Sequence, residues 1–393
     1  MADALKTFFS PALVKRLAGE VVASWPAFSS KKFIAQASAG LDELELLDRG
    51  KHIANALAAH LPADYPNAIE ILVRSLAAEH ATDELLGNGM APFFYLPHTI
   101  FVVERGLEHF ELSMRAQCEL TKRFTAEFSI RHFIAKDPER TFAQLEAWAG
   151  DPNAHVRRLV SEGTRLRLPW GMRVAWLDDH PERVLALLER LKDDPASVVR
   201  RSVANNLNDL GKVHPDLLIR TCAAWLDGAS AERRALVEHA LRSAIKRAEP
   251  AALALLGYGA KPAFAVEDIR FEPRRVAIGN KVTLAFTLRS TAKQPQELLV
   301  DLAVHFVKAR GETSPKVFKL KRVALGARER VELKAAISLA VHTTRKPQAG
   351  KHAVDVVVNG VAAPLGAFDV VSSGGGARRR APRATARPRP RAR

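Results

Sequence analysis

Apolar residues change their spacing along this chain of 393 residues. Up to about residue 262 they recur every three to four positions, as in Ile69 and Leu72, which predicts amphipathic helices. Over residues 263–373 apolar and polar side chains alternate, as in Val282 to Leu288, which predicts about seven short strands. No helical pattern interrupts these strands. We therefore expect a multidomain chain, first all-α and then an immunoglobulin-like β-sandwich.

One motif of the helical part occurs twice, with a shift of 43 residues. Asp151-Pro152 is followed by Arg157-Arg158, and Asp194-Pro195 is followed by Arg200-Arg201. A shift of this length is typical of HEAT and armadillo repeats, in which each unit is a helix pair. Because Asp-Pro is a good helix start, we expect helices to begin at both pairs. The pattern predicts an α-solenoid of HEAT-like repeats over residues 1–262.

Charged residues recur at intervals of four positions, so that each set lies on one face of a predicted helix. The four sets are Arg158, Glu162 and Leu166; Arg201, Asn205 and Asp209; Arg123, Glu127 and Arg131; and Arg234, Glu238 and Arg242. The third set requires one continuous helix over residues 113–135. Stacked helices of this kind would place carboxylates among cations on one surface. The alternative for each set is an ordinary exposed ion pair, worth about a few tenths of a kcal/mol.

Basic charge accumulates towards the end of the chain, whose formal net charge is +16. Residues 1–112 carry 9 lysines and arginines against 14 acidic residues, whereas residues 264–373 carry 18 against 10. Residues 374–393 add eight arginines and no acid, and this Arg/Pro-rich composition predicts a disordered tail. The distribution favours a polyanionic partner, although charge alone cannot separate DNA from RNA.

The cysteines and the hydropathy pattern bear on metal sites and on membranes. Cys118 and Cys222 are the only cysteines and lie among apolar residues, so we interpret them as buried hydrophobic side chains. No cluster has the spacing of a zinc or iron–sulfur site, and we expect neither a metal nor another cofactor. No apolar run reaches the length of a membrane span, which favours a cytoplasmic protein.

Five stretches of the helical part, spanning about 260 residues, together carry a family resemblance. They are Phe8 to Pro11, Arg49 to Pro62, Gly106 to Phe110, Arg123 to Phe128, and His155 to Trp170. In these stretches the chain resembles the AlkC-type DNA alkylation repair glycosylases, relatives of the AlkD family that are built from HEAT-like repeats. Some members of that family also carry an immunoglobulin-like domain after the repeats.

The resemblance implies an enzyme of base excision repair. Its substrates would be cationic N3-alkylated bases, such as 3-methyladenine and 3-methylcytosine, in double-stranded DNA. Hydrolysis of the N-glycosidic bond would leave an abasic site, without the full base flipping that is usual for glycosylases. We expect a monomer in the bacterial cytoplasm, associated with the nucleoid, with no membrane and no metal.

The same resemblance assigns roles to residues of the charged sets. It implies that Glu127, Glu162 and Asp209 lie at the lesion, together with Trp170. As the base departs, positive charge moves to the sugar, and a carboxylate near C1′ stabilises that oxocarbenium-like state and can align a water. We therefore expect Glu162 and Asp209 to share the catalytic role, with Glu127 in support.

Aromatic and cationic side chains complete the expected site. Trp170, in a Pro-Trp-Gly turn, offers a flat face for stacking and cation–π contact with a cationic nucleotide. The alternative is a loop tryptophan that fills the junction between repeats. Within each adjacent arginine pair, only one member can share the carboxylate face. The residues expected to contact DNA phosphates are Arg123, Arg157, Arg158, Arg200 and Arg201.

Two other functions remain open from the sequence alone. HEAT arrays are common scaffolds, so the first alternative is a non-catalytic DNA- or protein-binding repeat protein. A pure phosphate binder gains nothing from acids among its arginines, since these repel the DNA backbone. An RNA-binding protein is the second alternative, but neither the aromatic RNP pattern nor a Gly-x-x-Gly clamp is evident.

Overall fold

A computed structural model describes residues 5–80, 91–341 and 346–372. The chain divides into two compact units, Met1–Ala244 and Ile245–Arg393. Helices form the first unit and a β-sandwich dominates the second, which confirms the predicted order of folds. The finer division into 1–262, 263–373 and 374–393 stays a prediction, and the Arg/Pro-rich tail lies outside the described residues.

Fifteen α-helices occur in the described residues, together with short 3₁₀ turns at Leu5–Phe8, Leu41–Glu43 and Ala91–Tyr95. The helices are α1 (Pro11–Ser24), α2 (Ser30–Ser38), α3 (Leu46–His60), α4 (Tyr65–Arg74), α5 (Leu96–Gly106), α6 (Phe110–Thr121), α7 (Ile130–Lys136), α8 (Pro138–Trp148), α9 (Ala154–Gly163), α10 (Ala175–Asp179), α11 (Pro181–Leu191), α12 (Ser197–Leu210), α13 (Pro215–Leu226), α14 (Ala231–Lys246) and α15 (Pro250–Leu255).

The two Asp-Pro pairs of the repeated motif precede their helices rather than start them, so that prediction was wrong. The carboxylate of Asp151 accepts a hydrogen bond from the backbone N–H of Asn153 at 2.8 Å and thereby closes a turn. Asn153 is the residue that caps α9, since its side chain accepts from the N–H of His155. Asp194 closes the same kind of turn on Ala196 before α12.

The predicted helix over residues 113–135 is also wrong, because the chain leaves the helix after Thr121. The hydroxyl of Thr125 accepts a hydrogen bond from the N–H of Glu127 at 3.3 Å and donates to the Glu127 carboxylate at 2.9 Å. Such a local side-chain bond competes with helical bonding. Glu127 therefore lies in a loop between α6 and α7. Leu166 likewise lies beyond α9, which ends at Gly163.

The repeat helices α9 and α12 pack against each other, and both bury apolar residues at equivalent positions. Val156 and Val160 of α9 correspond to Val199 and Val203 of α12, and all four are fully buried. Burial of one such side chain stabilises the fold by about 1.5–3 kcal/mol. This packing fixes α9 and α12 relative to each other, and with them the polar side chains that they carry.

The β-sandwich of the second unit has a three-stranded and a five-stranded sheet. The three-stranded sheet has the order β1-β3-β6, and the five-stranded sheet has the order β2-β8-β7-β4-β5. The Asn359-Gly360 turn joins β7 to β8 with positive φ at both residues, as the sequence predicted. The strands are β1 (Phe264–Glu272), β2 (Arg275–Ala277), β3 (Lys281–Ser290), β4 (Gln296–Val307), β5 (Thr313–Leu325), β6 (Arg330–Ser338), β7 (Gly350–Val358) and β8 (Val361–Val371).

Both cysteines are unreactive thiols. Cys222 is buried and Cys118 is partly buried. Burial raises the pKa of the Cys118 thiol to about 11 and that of the Cys222 thiol to about 12. Both are therefore protonated at neutral pH, which agrees with their interpretation as hydrophobic side chains.

The packing of α9 on α7 can be tested at Gly163. A Cβ at this position would lie 2.6 Å from Cγ2 of Ile130, so Gly163→Ala is expected to lower the free energy of unfolding by about 1–3 kcal/mol. Gly19→Ala in α1 is the control, because nothing lies within 4 Å of its added Cβ. That change is expected to raise the stability by about 0.5–1 kcal/mol. Urea denaturation measures both, and equal effects would contradict the close approach of the two helices.

Candidate active site

A cleft of about 340 Å³ lies in the helical unit, between α9 and two loops. One loop is the segment between α6 and α7, and the other is the segment that follows α9. The aromatic side chains that line the cleft are Phe93, Phe124, Phe128 and Trp170. The charged side chains that line it are Glu127, Arg158, Glu162 and Arg165. The structure thus brings together four residues that the sequence predicted for the site: Glu127, Arg158, Glu162 and Trp170.

Glu162, on the last turn of α9, is the most enclosed carboxylate of the cleft, with only 6% of its surface exposed. Its Oε1 accepts a hydrogen bond from Arg165 at 2.6 Å, and its Oε2 accepts one from the Ser202 hydroxyl at 2.6 Å. Burial raises the pKa of Glu162, but the cations of Arg158 and Arg165 and the bond from Ser202 outweigh it. The pKa of Glu162 therefore lies below its usual range, and the side chain is an anion at neutral pH.

Arg165 joins Glu162 to Asp209, the second predicted catalytic carboxylate. Its Nε donates to Oδ2 of Asp209 at 2.8 Å while its Nη1 donates to Glu162. Although burial lowers the pKa of Arg165, the two carboxylates raise it further, so the guanidinium is charged. The arginine therefore makes ion pairs with carboxylates from two neighbouring repeats.

Asp209 lies deeper than Glu162 and is not among the residues that line the cleft. Only 1% of its surface is exposed. Besides the bond from Arg165 to its Oδ2, its Oδ1 accepts a hydrogen bond from Lys212 at 2.7 Å. In this arrangement Arg165 stands between Asp209 and the cleft.

Glu127 and Arg158 form a second ion pair in the cleft. Nη2 of Arg158 donates to Oε2 of Glu127 at 3.1 Å and lies 3.7 Å from Oε2 of Glu162. The hydroxyl of Thr125 also donates to Glu127. Arg158 therefore lies between the two carboxylates that face the cleft, and Glu127 reaches the cleft from its loop rather than from a helix face.

Trp170 is exposed in a strained backbone conformation. Its φ is +64°, in the left-handed region that bulky residues rarely adopt, and 63% of its surface is exposed. An exposed tryptophan on a strained turn contributes little to the stability of the fold, and such strain is concentrated at functional sites. The structure therefore disfavours the alternative in which this ring fills a junction between repeats.

Arg131 holds the loop that carries Trp170 and Arg165. Its side chain is fully buried, donating to the carbonyl oxygens of Met172 at 2.7 Å and of Gly163 and Arg165 at 2.8 Å. Burial lowers the pKa of Arg131 to about 10, so it is still a cation at neutral pH. The spacing of charged residues predicted that Arg131 lies on a charged surface, whereas it lies in the interior.

Two of the arginines predicted to bind DNA are engaged within the protein. Arg157 makes a two-pronged ion pair with Asp194, at 2.6 and 2.9 Å, and donates to the carbonyls of Asp151 and Pro152. Arg200 donates in the same way to the carbonyls of Asp194 and Pro195. These arginines close the turns before α9 and α12, and their binding to DNA stays a prediction.

The other predicted phosphate contacts differ in their surroundings. Arg123 is mostly buried and donates to the carbonyl of Ala77 and to Glu119. Arg201 is exposed on α12 and lines an open depression of about 580 Å³ with Asn205 and His239. Within the described residues, Arg201 forms no hydrogen bond or ion pair, which leaves its guanidinium available to an external anion.

Two residues of this network were not predicted, and a third was predicted in the wrong place. Arg165 lies three positions after Glu162, a spacing that suits an ion pair but is common on any helix. Ser202 carried no signal, since its partner Glu162 is 40 positions away and becomes a neighbour only when the repeats stack. Arg131 was predicted from its spacing to Glu127, but the carbonyl groups that it binds lie 32 to 41 positions further along the chain. Within the described ranges, no group of three or more His, Cys, Asp and Glu side chains is placed to hold a metal ion. None of the described helices could cross a membrane.

Comparisons with known proteins agree with the fold. Residues 265–372 match the family model described as the C-terminal Ig-like domain of the uncharacterised protein YhaZ. YhaZ of Bacillus subtilis (strain 168) is 35% identical over 361 residues, which cover 92% of this chain and 97% of YhaZ. The solved structure of the Pseudomonas fluorescens alkylpurine DNA glycosylase AlkC, bound to DNA containing an abasic site analog, is 38% identical. It matches with a TM-score of 0.86 over 94% of this chain and 99% of that chain.

The fold and the site define a HEAT-like repeat protein with an immunoglobulin-like domain at its C-terminal end. The chain belongs to the AlkC-type family, which includes AlkC of Pseudomonas fluorescens and YhaZ. The resemblance drawn from five short stretches of the sequence is thereby confirmed.

Proposed function

We propose that this protein is a DNA N-glycosylase of base excision repair that removes cationic N3-alkylated bases from double-stranded DNA. The observation that carries the proposal is the cleft, in which the ionised Glu162 and the carboxylate of Glu127 lie among aromatic rings. The similarity to AlkC, an alkylpurine DNA glycosylase bound to DNA with an abasic site analog, supports it over most of both chains.

The reaction needs a stabilised sugar cation more than it needs an acid. Alkylation gives the base a positive charge, so the base leaves with the electrons of the C1′–N bond and becomes neutral without being protonated. Positive charge then develops on the sugar, and a fixed carboxylate stabilises it at little reorganisation cost. Glu162 lines the cleft, and we assign it the roles of facing C1′ and aligning the attacking water.

The remaining site residues support this step. Asp209, which the sequence pairs with Glu162 in catalysis, acts from behind Arg165 in the present geometry. Glu127 adds a second negative charge on the other side of Arg158. Trp170 offers its exposed face to the cationic nucleotide, where a cation–π contact contributes about 0.5–2 kcal/mol.

The duplex would be held by cations of the helical unit around the cleft. Among the described residues Arg201 makes no hydrogen bond or ion pair, Arg158 lines the cleft, and Arg123 directly precedes Phe124, which also lines it. Contacts of this kind fix the position of the DNA without reading its sequence. We further propose that the protein acts as a monomer in the bacterial cytoplasm, in association with the nucleoid.

The catalytic assignment predicts a loss of base release on Glu162→Gln and Asp209→Asn. Each amide keeps the size of the side chain and removes its charge, so we expect a loss of about a hundredfold in rate, corresponding to about 3 kcal/mol. Glu182→Gln, at an exposed position of α11, is the matched control and should be unchanged. The assay is single-turnover release of methylated bases from duplex DNA. Normal DNA binding without any base release by the wild-type protein would favour a non-catalytic scaffold.

A comparison of Arg157→Ala with Arg201→Ala should distinguish an arginine that is bonded within the protein from one that is available to DNA. Loss of Arg157 leaves Asp194 buried without its cation, which is expected to lower the free energy of unfolding by about 3–5 kcal/mol. Arg201→Ala should change stability by less than about 0.5 kcal/mol. It should weaken binding to any DNA sequence and lower the number of counterions released on binding by about one. A fully stable Arg157→Ala protein with weaker DNA binding would instead support phosphate contact by Arg157.

Trp170 gives a third test, because its strained backbone lowers stability whereas its ring is proposed to promote base release. Trp170→Gly relieves the positive φ and should keep or raise the melting temperature, while base release from methylated duplex DNA slows. Trp225→Gly is the control for a buried ring and should lower the melting temperature strongly. If Trp170→Gly melts as early as Trp225→Gly, the ring belongs to the packed interior and not to the site.

A further inference from the structure

Arg165 lies between two carboxylates that come from neighbouring repeats. Glu162 is on α9 and Asp209 is on α12, and the guanidinium donates to both, at 2.6 and 2.8 Å. Only an arginine offers donors on two sides of a rigid plane, which matches a bridge between two carboxylates. The relative position of the two carboxyl groups therefore depends on this side chain as well as on the packing of α9 against α12.

The backbone of Arg165 is fixed from the opposite side. Arg131, fully buried, donates to the carbonyl oxygen of Arg165 and also to those of Gly163 and Met172. The segment after α9 consequently cannot follow a moving carboxylate without breaking buried hydrogen bonds, each of which costs about 1–3 kcal/mol when left unmade. Arg165 is a preorganised group rather than a mobile surface cation.

Glu162, Arg165 and Asp209 differ in their access to the cleft. Glu162 and Arg165 line the cleft, whereas Asp209 does not and is almost fully buried. Oδ1 of Asp209 is already bonded to Lys212 and Oδ2 to Arg165. An influence of Asp209 on a substrate in the cleft therefore passes through Arg165.

We propose that Arg165 is the positioning residue of this site: anchored on Asp209, it fixes the carboxylate of Glu162 towards the cleft. The inference rests on the proposed glycosylase function. It gives Asp209 an indirect role, since Asp209 orients the arginine and does not contact the sugar.

The surroundings of Glu162 set the expected response to pH. The groups that face it are Arg158 from α9, Arg165 from the following segment and the hydroxyl of Ser202 from α12. Behind them lie Glu127, paired with Arg158, and Asp209, paired with Arg165. Without Arg165, Glu162 keeps one cation at 3.7 Å and stays buried, so it binds a proton at higher pH. Because the reaction needs the anion, the acidic limb of the rate profile should move to higher pH.

Two further cations, Lys212 and Arg242, lie near Asp209. Lys212 forms an ion pair with Asp209. Burial lowers the pKa of Arg242, Asp209 raises it and Arg165 lowers it. These cations remain in every variant proposed below. They therefore affect the size of the shift and not its direction.

The test is a double-mutant cycle on single-turnover base release from methylated duplex DNA, measured as a function of pH. The proteins are the wild type, Arg165→Gln, Asp209→Asn and the double variant. Arg165→Gln should slow release by about a hundredfold at neutral pH, at least as much as Asp209→Asn does, with the loss shrinking as pH rises. Asp209→Asn should also slow base release at neutral pH. The rate of the double variant should equal that of Arg165→Gln alone, within about threefold. Arg165→Lys keeps a charge but not the fork, so it should lie between the wild type and Arg165→Gln.

A matched control separates positioning from stability. Arg157→Gln breaks another arginine–aspartate pair between the same two repeats, and this pair lies outside the cleft. It should lower the melting temperature and leave the pH profile of the folded protein in place. A pH profile of Arg165→Gln that superimposes on the wild type after scaling for folded protein would overturn the proposal, because a merely structural arginine would behave like Arg157.

Other results of this experiment also test the role of Arg165 and the glycosylase proposal. If the effects of Arg165→Gln and Asp209→Asn multiply, Asp209 acts on the substrate independently and the proposed order is wrong. If Arg165→Gln does not fold, Arg165→Lys and Asp209→Asn form the same cycle, with the same expected shift and the same lack of additivity. If the wild-type protein releases no methylated base, the glycosylase proposal itself fails and this inference with it. Release by the wild type with additive variants contradicts the inference alone.

Discussion

The burial of negative charge between α9 and α12 is the constraint on which this site depends. Two carboxylates in an apolar helix interface are stable only with cations and hydrogen-bond donors close by. Arg165 and Lys212 supply them for Asp209, and Arg165, Arg158 and Ser202 supply them for Glu162. An apolar interface of the same volume would be at least as stable. The charges are therefore better explained by what they do in the cleft than by what they add to the stability of the repeats.

The sequence predicted much of the fold, because the relevant signals are local. The shift of 43 residues identified the repeats, and alternation with the Asn359-Gly360 turn identified the hairpin of β7 and β8. The order of strands in the two sheets was not predictable, since pairings such as the parallel contact of β2 with β8 join distant segments. Helix ends failed where a side chain captured the backbone, as Thr125 does beside Glu127.

The candidate site was predictable only in part, for a related reason. Periodicity placed Arg158 and Glu162 on one helix face correctly, because both lie within α9. It could not foresee that Arg131 turns into the interior, or that Arg165 bridges to Asp209, because those contacts connect residues more than thirty positions apart. Adjacent arginines with the same sequence signal also divide in structure: Arg157 closes a turn, whereas Arg158 enters the cleft.

The charge balance of the cleft bears on why only cationic bases would be removed. Glu162 is ionised at neutral pH, since Arg158 and Arg165 hold its pKa below the usual range despite its burial. It cannot act as a general acid, and the other carboxylate of the cleft, Glu127, is bonded to Arg158. A neutral base, which must be protonated before it can leave, cannot receive that proton from Glu162. An alkylated base already carries the charge that makes it leave, so its reaction needs only the fixed anion that the repeats provide. Selectivity would then follow from the protonation state of the site as much as from its shape.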